Sequence, residues 1–236
     1  MAVSLLTLST PSLVFAQTPT PVIKAFCGRV AEFESKVDQK ITDRGEKLKT
    51  QRDERANTIT TRRANRSAKR EESRDKWNAN RQAHYAKLEA RAQTDAQKQA
   101  VIAFKTAVEQ AVTARRQTID AAIQAFRQSV DQAIANRKSS VDTAIATFKT
   151  SRDAAFEKAK SDCASGVDAR TVRETMQASL KTVREKFQND IQAIERAKDA
   201  VKTSMETRKQ AVEKAHQDFK AAVEKASNDL KALLGK

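Results

Sequence analysis

Between residues 55 and 70 the chain carries six basic side chains, Arg55, Arg62, Arg63, Arg66, Lys69 and Arg70, and no acid; Arg74 follows. Guanidinium groups are planar forks that meet phosphate or carboxylate with two parallel hydrogen bonds. Arg62, Arg66, Arg70 and Arg74 step by four, which places them along one flank of a helix. Trp77 and Tyr85 lie just beyond and offer aromatic faces on which bases could stack. This segment therefore reads as an anion-binding face. The competing reading lays the arginine stems along a neighbouring helix with their heads in water.

Other chemistry is sparse. The two histidines, His84 and His216, have no ligand-like neighbours in sequence, and a metal site needs convergent donors. No nucleophile has a base at a recognisable spacing, and only four glycines occur, none in a phosphate loop. No catalytic residue, metal, cofactor or small-molecule substrate is expected, and the protein is read as not an enzyme. Cys27 and Cys163 are the two cysteines. Asn65-Arg66-Ser67 is a formal glycosylation sequon, too short a pattern to carry weight.

The elements that position these residues are dictated by a repeat. Residues 96–161 divide into six consecutive blocks of eleven. The fifth position holds Ala100, Ala111, Ala122, Ala133, Ala144 and Ala155. The sixth holds Val101, Val112, Ile123, Ile134, Ile145 and Phe156. The second holds Val108, Ile119, Val130 and Val141, and the ninth alternates Phe104, Arg115, Phe126, Arg137, Phe148. Apolar steps of three and four make one helix face. Eleven residues over three turns is about 3.67 per turn, a nearly straight stripe. Lys105/Glu109, Arg116/Asp120, Arg127/Asp131, Lys138/Asp142 and Lys149/Asp153 are spaced by four and read as pairs on a solvated face.

Composition agrees with helices. The 236 residues include three prolines, 5% aromatics and 32% charged residues, which excludes a turn-rich β fold and a thick core. The expected fold class is all-α: an elongated antiparallel three-helix bundle or coiled coil with eleven-residue repeats. The net charge of +15 favours a polyanionic partner, whether nucleic acid, acidic lipid or acidic envelope polymer.

Residues 1–16 are uncharged and end Leu13-Val-Phe-Ala16, as a secretory signal peptide would, without the usual basic start. A retained N-terminal anchor is the other reading. Residues 17–20 form a linker, and 21–234 one elongated helical domain, with helices at about 21–92, 96–164 and 171–234. Thr94 and Gln97 make a capping box, as do Thr171 and Glu174, and Gly235 reads as a C-cap. An antiparallel hairpin turning near residue 95 brings Cys27 to Cys163, so a disulfide is expected, of the kind an exported protein keeps. Close to that register Phe33 meets Phe156, Ile41 meets Phe148, Leu48 meets Val141, Ile59 meets Val130, Trp77 meets Val112, Tyr85 meets Phe104 and Leu88 meets Val101. Ile119, Ile123 and Ile134 are left to meet helix three or another chain.

With its signal-like start, Ala16-Gln17, Phe26-Cys27 and long charged helices, the chain resembles uncharacterised, predicted-secreted, Lys/Arg-rich helical proteins of environmental bacteria. That resemblance implies export (periplasm, cell surface or exterior) and no particular activity. Periplasmic Skp-type chaperones are similar in export, charge and helical arms, but their β-rich body has no counterpart here. Apolipoprotein-like proteins share repeats of eleven and twenty-two, usually broken by Pro; here none follows Pro21. The leading expectation is a structural or interaction protein of the cell envelope or exterior that could self-associate through its helices. Alternatives are polyanion binding through the basic face of helix one, a holdase-type chaperone, and a lipid-surface protein.

Overall fold

A computed structural model describes residues 26–234. The signal-like segment, the linker and Gly235 lie outside the described residues. From Val30 on, the described chain forms five helices: α1 (Val30–Arg91), α2 (Asp95–Ala164), α3 (Ala169–Ala193), α4 (Ala197–Ala200) and α5 (Lys202–Leu234). No strand occurs among the described residues, so the fold is an all-α helical bundle.

The turns follow local chemistry. Between α1 and α2 the amides of Gln93 and Thr94 donate to Gln97 Oε1 (2.8 and 3.3 Å), and the Gln97 amide donates to Thr94 Oγ1 (3.2 Å). This reciprocal box satisfies orphan donors at the start of α2. Helix α2 ends on Gly166, whose φ of 78° favours a residue without Cβ. The amides of Gly166 and Val167 return to the carbonyls of Cys163 (3.2 Å) and Asp162 (3.1 Å), a Schellman closure.

The second expected capping box does not form. Asp168 caps α3 instead, its Oδ2 accepting from the amides of Arg170 (3.0 Å) and Thr171 (3.1 Å), while Glu174 pairs with Arg170 (3.1 Å). An ionised carboxylate accepts more strongly than a threonine hydroxyl, so the helix starts at the aspartate. The third helix, expected unbroken over 171–234, is interrupted between Ala193 and Lys202. No Gly or Pro marks the break. Arg137 of α2 donates to the freed carbonyls of Ile194 (3.4 Å) and Glu195 (2.9 Å), supplying bonds the helix would otherwise make internally.

The described residues group into two compact units. The first comprises 26–43 and Ala146–Phe187. Its core is Val30, Phe156, Ala159, Val172 and Met176, with Phe26, Val37, Cys163 and Leu180 packed against it. Phe156 is fully buried, a contribution of about 1.5–3 kcal/mol. Phe148 and Phe187 meet at 5.0 Å between centroids. The Cys27–Cys163 disulfide closes across this unit, with Cα atoms 5.8 Å apart.

The second unit comprises Arg44–Ile145 with the residues from Gln188 on. Tyr85, Val108, Val112 and Ala226 form one core cluster; Ala92, Ala100, Val101 and Leu230 form another. The alternating Phe/Arg column of α2 finds its complement on α5. Arg115 stacks on the Phe219 ring (3.9 Å), and Phe126 lies under Arg208 (4.2 Å). Each contact contributes on the order of 0.5–2 kcal/mol. At these two steps, eleven residues apart, cation and ring exchange places.

The apolar register holds in part. Tyr85 meets Phe104 edge-to-face at 6.3 Å, and Leu88 packs on the cluster containing Val101. Phe33, by contrast, is 40% exposed, because Val30 and Val37 occupy the inward face beside Phe156. Trp77 is 67% exposed and does not cover Val112, whose cluster is closed by Tyr85 and Ala226. Ile119 and Ile123 face α5 across an open groove floored by Val212, while Ile134 remains half exposed.

Candidate polyanion-binding face

The arginine-rich stretch of α1 divides into two sets. One set is consumed by α2. Arg52 donates to Asp142 (2.8 Å), Arg63 grips Asp131 with both terminal nitrogens (3.0 and 2.9 Å), and Arg74 donates to Asp120 (2.8 Å). Arg81 Nε donates to Glu109 (2.9 Å). Arg52, Arg63 and Arg74 are eleven apart, and so are Asp120, Asp131 and Asp142, so antiparallel helices bring them together rung by rung. Arg70 lies 3.8 Å from Asp120 as well.

These rungs correct the sequence reading twice. Arg63, Arg70 and Arg74, three of the candidate anion-binding residues, already hold carboxylates of α2. The acids read as solvated partners of cations four residues away largely reach across the helix interface instead. Of those local pairs, Lys138–Asp142 persists (2.8 Å), with Arg52 added; Glu109 turns to Arg81, and Lys105 reaches Glu89 (3.3 Å). Asp153 is taken by Arg152, which is only 2% exposed and also bonds Asp38. A bidentate guanidinium in a half-dry interface outcompetes an exposed pair of the weaker orientation. The electrostatics follow the geometry. The Arg81 hydrogen bond holds Glu109 below the usual carboxylate range, and Lys138, then Arg52, hold Asp142 below its own. The Asp120 hydrogen bond raises the Arg74 guanidinium further.

The other set is free. Arg55, Arg62, Arg66 and Lys69 are exposed and make no ion pair among the described residues. Their spacings of seven, four and three stack them along one side of α1. Of the acids nearest in sequence, Glu54 adjoins Arg55, Asp53 is held by Lys49 (2.9 Å), and Glu71 and Glu72 are engaged by Arg74 (2.8 Å) and Lys76 (2.6 Å). The result is a line of four unneutralised cations flanked by neutral polar side chains such as Thr58, Asn65 and Ser73.

The two aromatics named as stacking residues separate completely. Tyr85 is 1% exposed and belongs to the core, so its ring is closed to a ligand; burial, with the Glu109 charge, pushes its hydroxyl pKa up. Lys105 covers its face at 5.6 Å. Trp77 stands in solvent, eleven residues beyond Arg66 and twenty-two beyond Arg55, on nearly the same line. The inter-helix rungs were missed from sequence although a signal existed: an Asp at the third position of the α2 blocks and an Arg every eleven residues on α1.

Among the described residues no cluster of three or more metal-ligating side chains occurs, and no helix is long and apolar enough to cross a membrane. No protein family, curated protein or solved structure matches the chain.

Proposed function

We propose that the chain is a non-enzymatic interaction protein of an exported compartment, and that it holds a polyanion along the exposed flank of α1. One observation carries this reading. Five arginines of the 52–81 stretch are neutralised by carboxylates of α2, yet Arg55, Arg62, Arg66 and Lys69 are left unpaired on one face. Aligned unscreened cations repel one another and attract a polymer of negative charge, whose condensed counterions are released on binding. The disulfide supports an oxidising setting, in agreement with the signal-like start. The remaining charged contacts support a scaffold: they are salt bridges between helices or along one helix.

The test compares the intact chain with the Arg55→Gln, Arg62→Gln, Arg66→Gln, Lys69→Gln variant on long-chain polyphosphate. The parent should bind, and its log affinity should fall steeply with log salt. The variant should bind more weakly with a shallower slope, and its helix content should be unchanged because all four side chains are exposed. Equal binding by both proteins, or none by the parent at low salt, overturns the proposal.

A further inference from the structure

We infer that the polymer held on this face is a single-stranded nucleic acid, its phosphates along Arg55, Arg62, Arg66 and Lys69 and one base on the Trp77 ring. This rests on the polyanion reading above and adds the class of ligand. Arg55, Arg66 and Trp77 recur at intervals of eleven, so they lie on one line along α1 with a small drift. From Arg55 to Trp77 the helix rises about 33 Å, room for a strand of several nucleotides.

Three features select the ligand. Three of the four cations are arginines, whose forks suit phosphate oxygens. Trp77 presents its indole to solvent at the end of the line, and a base with a free face can stack on it. A duplex keeps its bases stacked on each other and would meet the arginines alone. An anionic membrane would need apolar side chains beside the cations, but Thr58, Asn65 and Ser73 stand there. The unspent arginines and the exposed indole are accounted for together only by a ligand that carries both phosphates and open π faces.

Trp77 is the only tryptophan in the chain, so intrinsic fluorescence reports this site directly. The full disulfide-bonded chain is titrated with oligothymidylate, with polyphosphate and with heparin. Oligothymidylate should quench the tryptophan; polyphosphate and heparin should bind without quenching. Trp77→Ala should weaken oligothymidylate about five- to a hundredfold, the range of one stacked base, and leave polyphosphate affinity unchanged, while Trp77→Phe recovers part of the loss. Polyphosphate binding with no quenching by oligothymidylate overturns this inference and leaves the polyanion reading standing. Quenching by heparin equal to that by oligothymidylate also overturns it. No binding of any of the three overturns both.

Discussion

Around Val30 and Val37, helix α1 offers carbon to Phe156 of α2, and a disulfide joins Cys27 to Cys163 there. Over 52–81 the same helix offers guanidinium groups, and α2 answers with Asp142, Asp131, Asp120 and Glu109. The two stretches belong to the same pair of helices and differ in the chemistry at the interface. Carbon packed against carbon stabilises strongly and without direction. Half-exposed ion pairs stabilise by roughly 0–1 kcal/mol each but fix which residue faces which. A purely apolar stripe repeating every eleven could slip by one block. The rungs carry the same step, so a slip of eleven would set Arg52 against Asp131 and Arg63 against Asp120, and they penalise only slips of other lengths. The polar stretch thus gives up stability and gains direction at each contact, and it keeps α1 hydrophilic on the flank where Arg55, Arg62, Arg66 and Lys69 stand free.

The sharpest break in this comparison is the staple. Cys27→Ser with Cys163→Ser should lower unfolding free energy by about 5 kcal/mol, because the bond closes a separation of 136 residues. Urea unfolding followed by circular dichroism measures it; a loss below about 1 kcal/mol would mean that the Phe156 core alone holds that unit. A much smaller effect is expected in the polar stretch. Arg63→Gln removes the bidentate rung to Asp131 and should cost about 0.5–1 kcal/mol. A cost above about 2 kcal/mol would show that the rungs act as buried pairs and that the two stretches stabilise alike.

Acid provides the smallest and most selective effect. Glu109 and Asp142 titrate below their ordinary values of 4.5 and 3.8 in the folded chain. Their contribution is therefore fully present above those ordinary values and is lost as the pH falls through the depressed folded ones. The urea midpoint should be level from pH 7 to about 5 and decline below about 4. Arg81→Gln should lessen that decline, since the Arg81 hydrogen bond is the main cause of the Glu109 shift. An identical decline in that variant would assign the acid response elsewhere.

Much of the fold is legible in the sequence. The alanine column at the fifth block position is buried or half-buried throughout, since the smallest side chain lets a neighbouring helix approach. The Thr94 capping box follows from chemistry that neighbouring residues carry in full, and the cysteine pair from the antiparallel hairpin that the turn near residue 95 imposes. The site was half legible. Its cations were named, but Arg62 and Arg63 are adjacent in sequence and opposite in fate: one is free, the other holds Asp131. Steps of four from Arg62 mix both sets, because Arg70 and Arg74 turn toward Asp120.

The sequence by itself determined the helices, their antiparallel hairpin and the excess of positive charge, because periodicity, caps and composition act over a few residues or over the whole chain. Only the tertiary structure decided which cations are spent. That depends on a carboxylate arriving from a helix tens of residues away. It also decided that Trp77 stays in water while Tyr85 is buried, since the difference lies in which side of α1 meets Val108 and Val112. The break before α5 was decided in the same way. Its carbonyls are released because Arg137 on another helix is placed to receive them, a bond between positions 57 and 58 residues apart that no local pattern encodes.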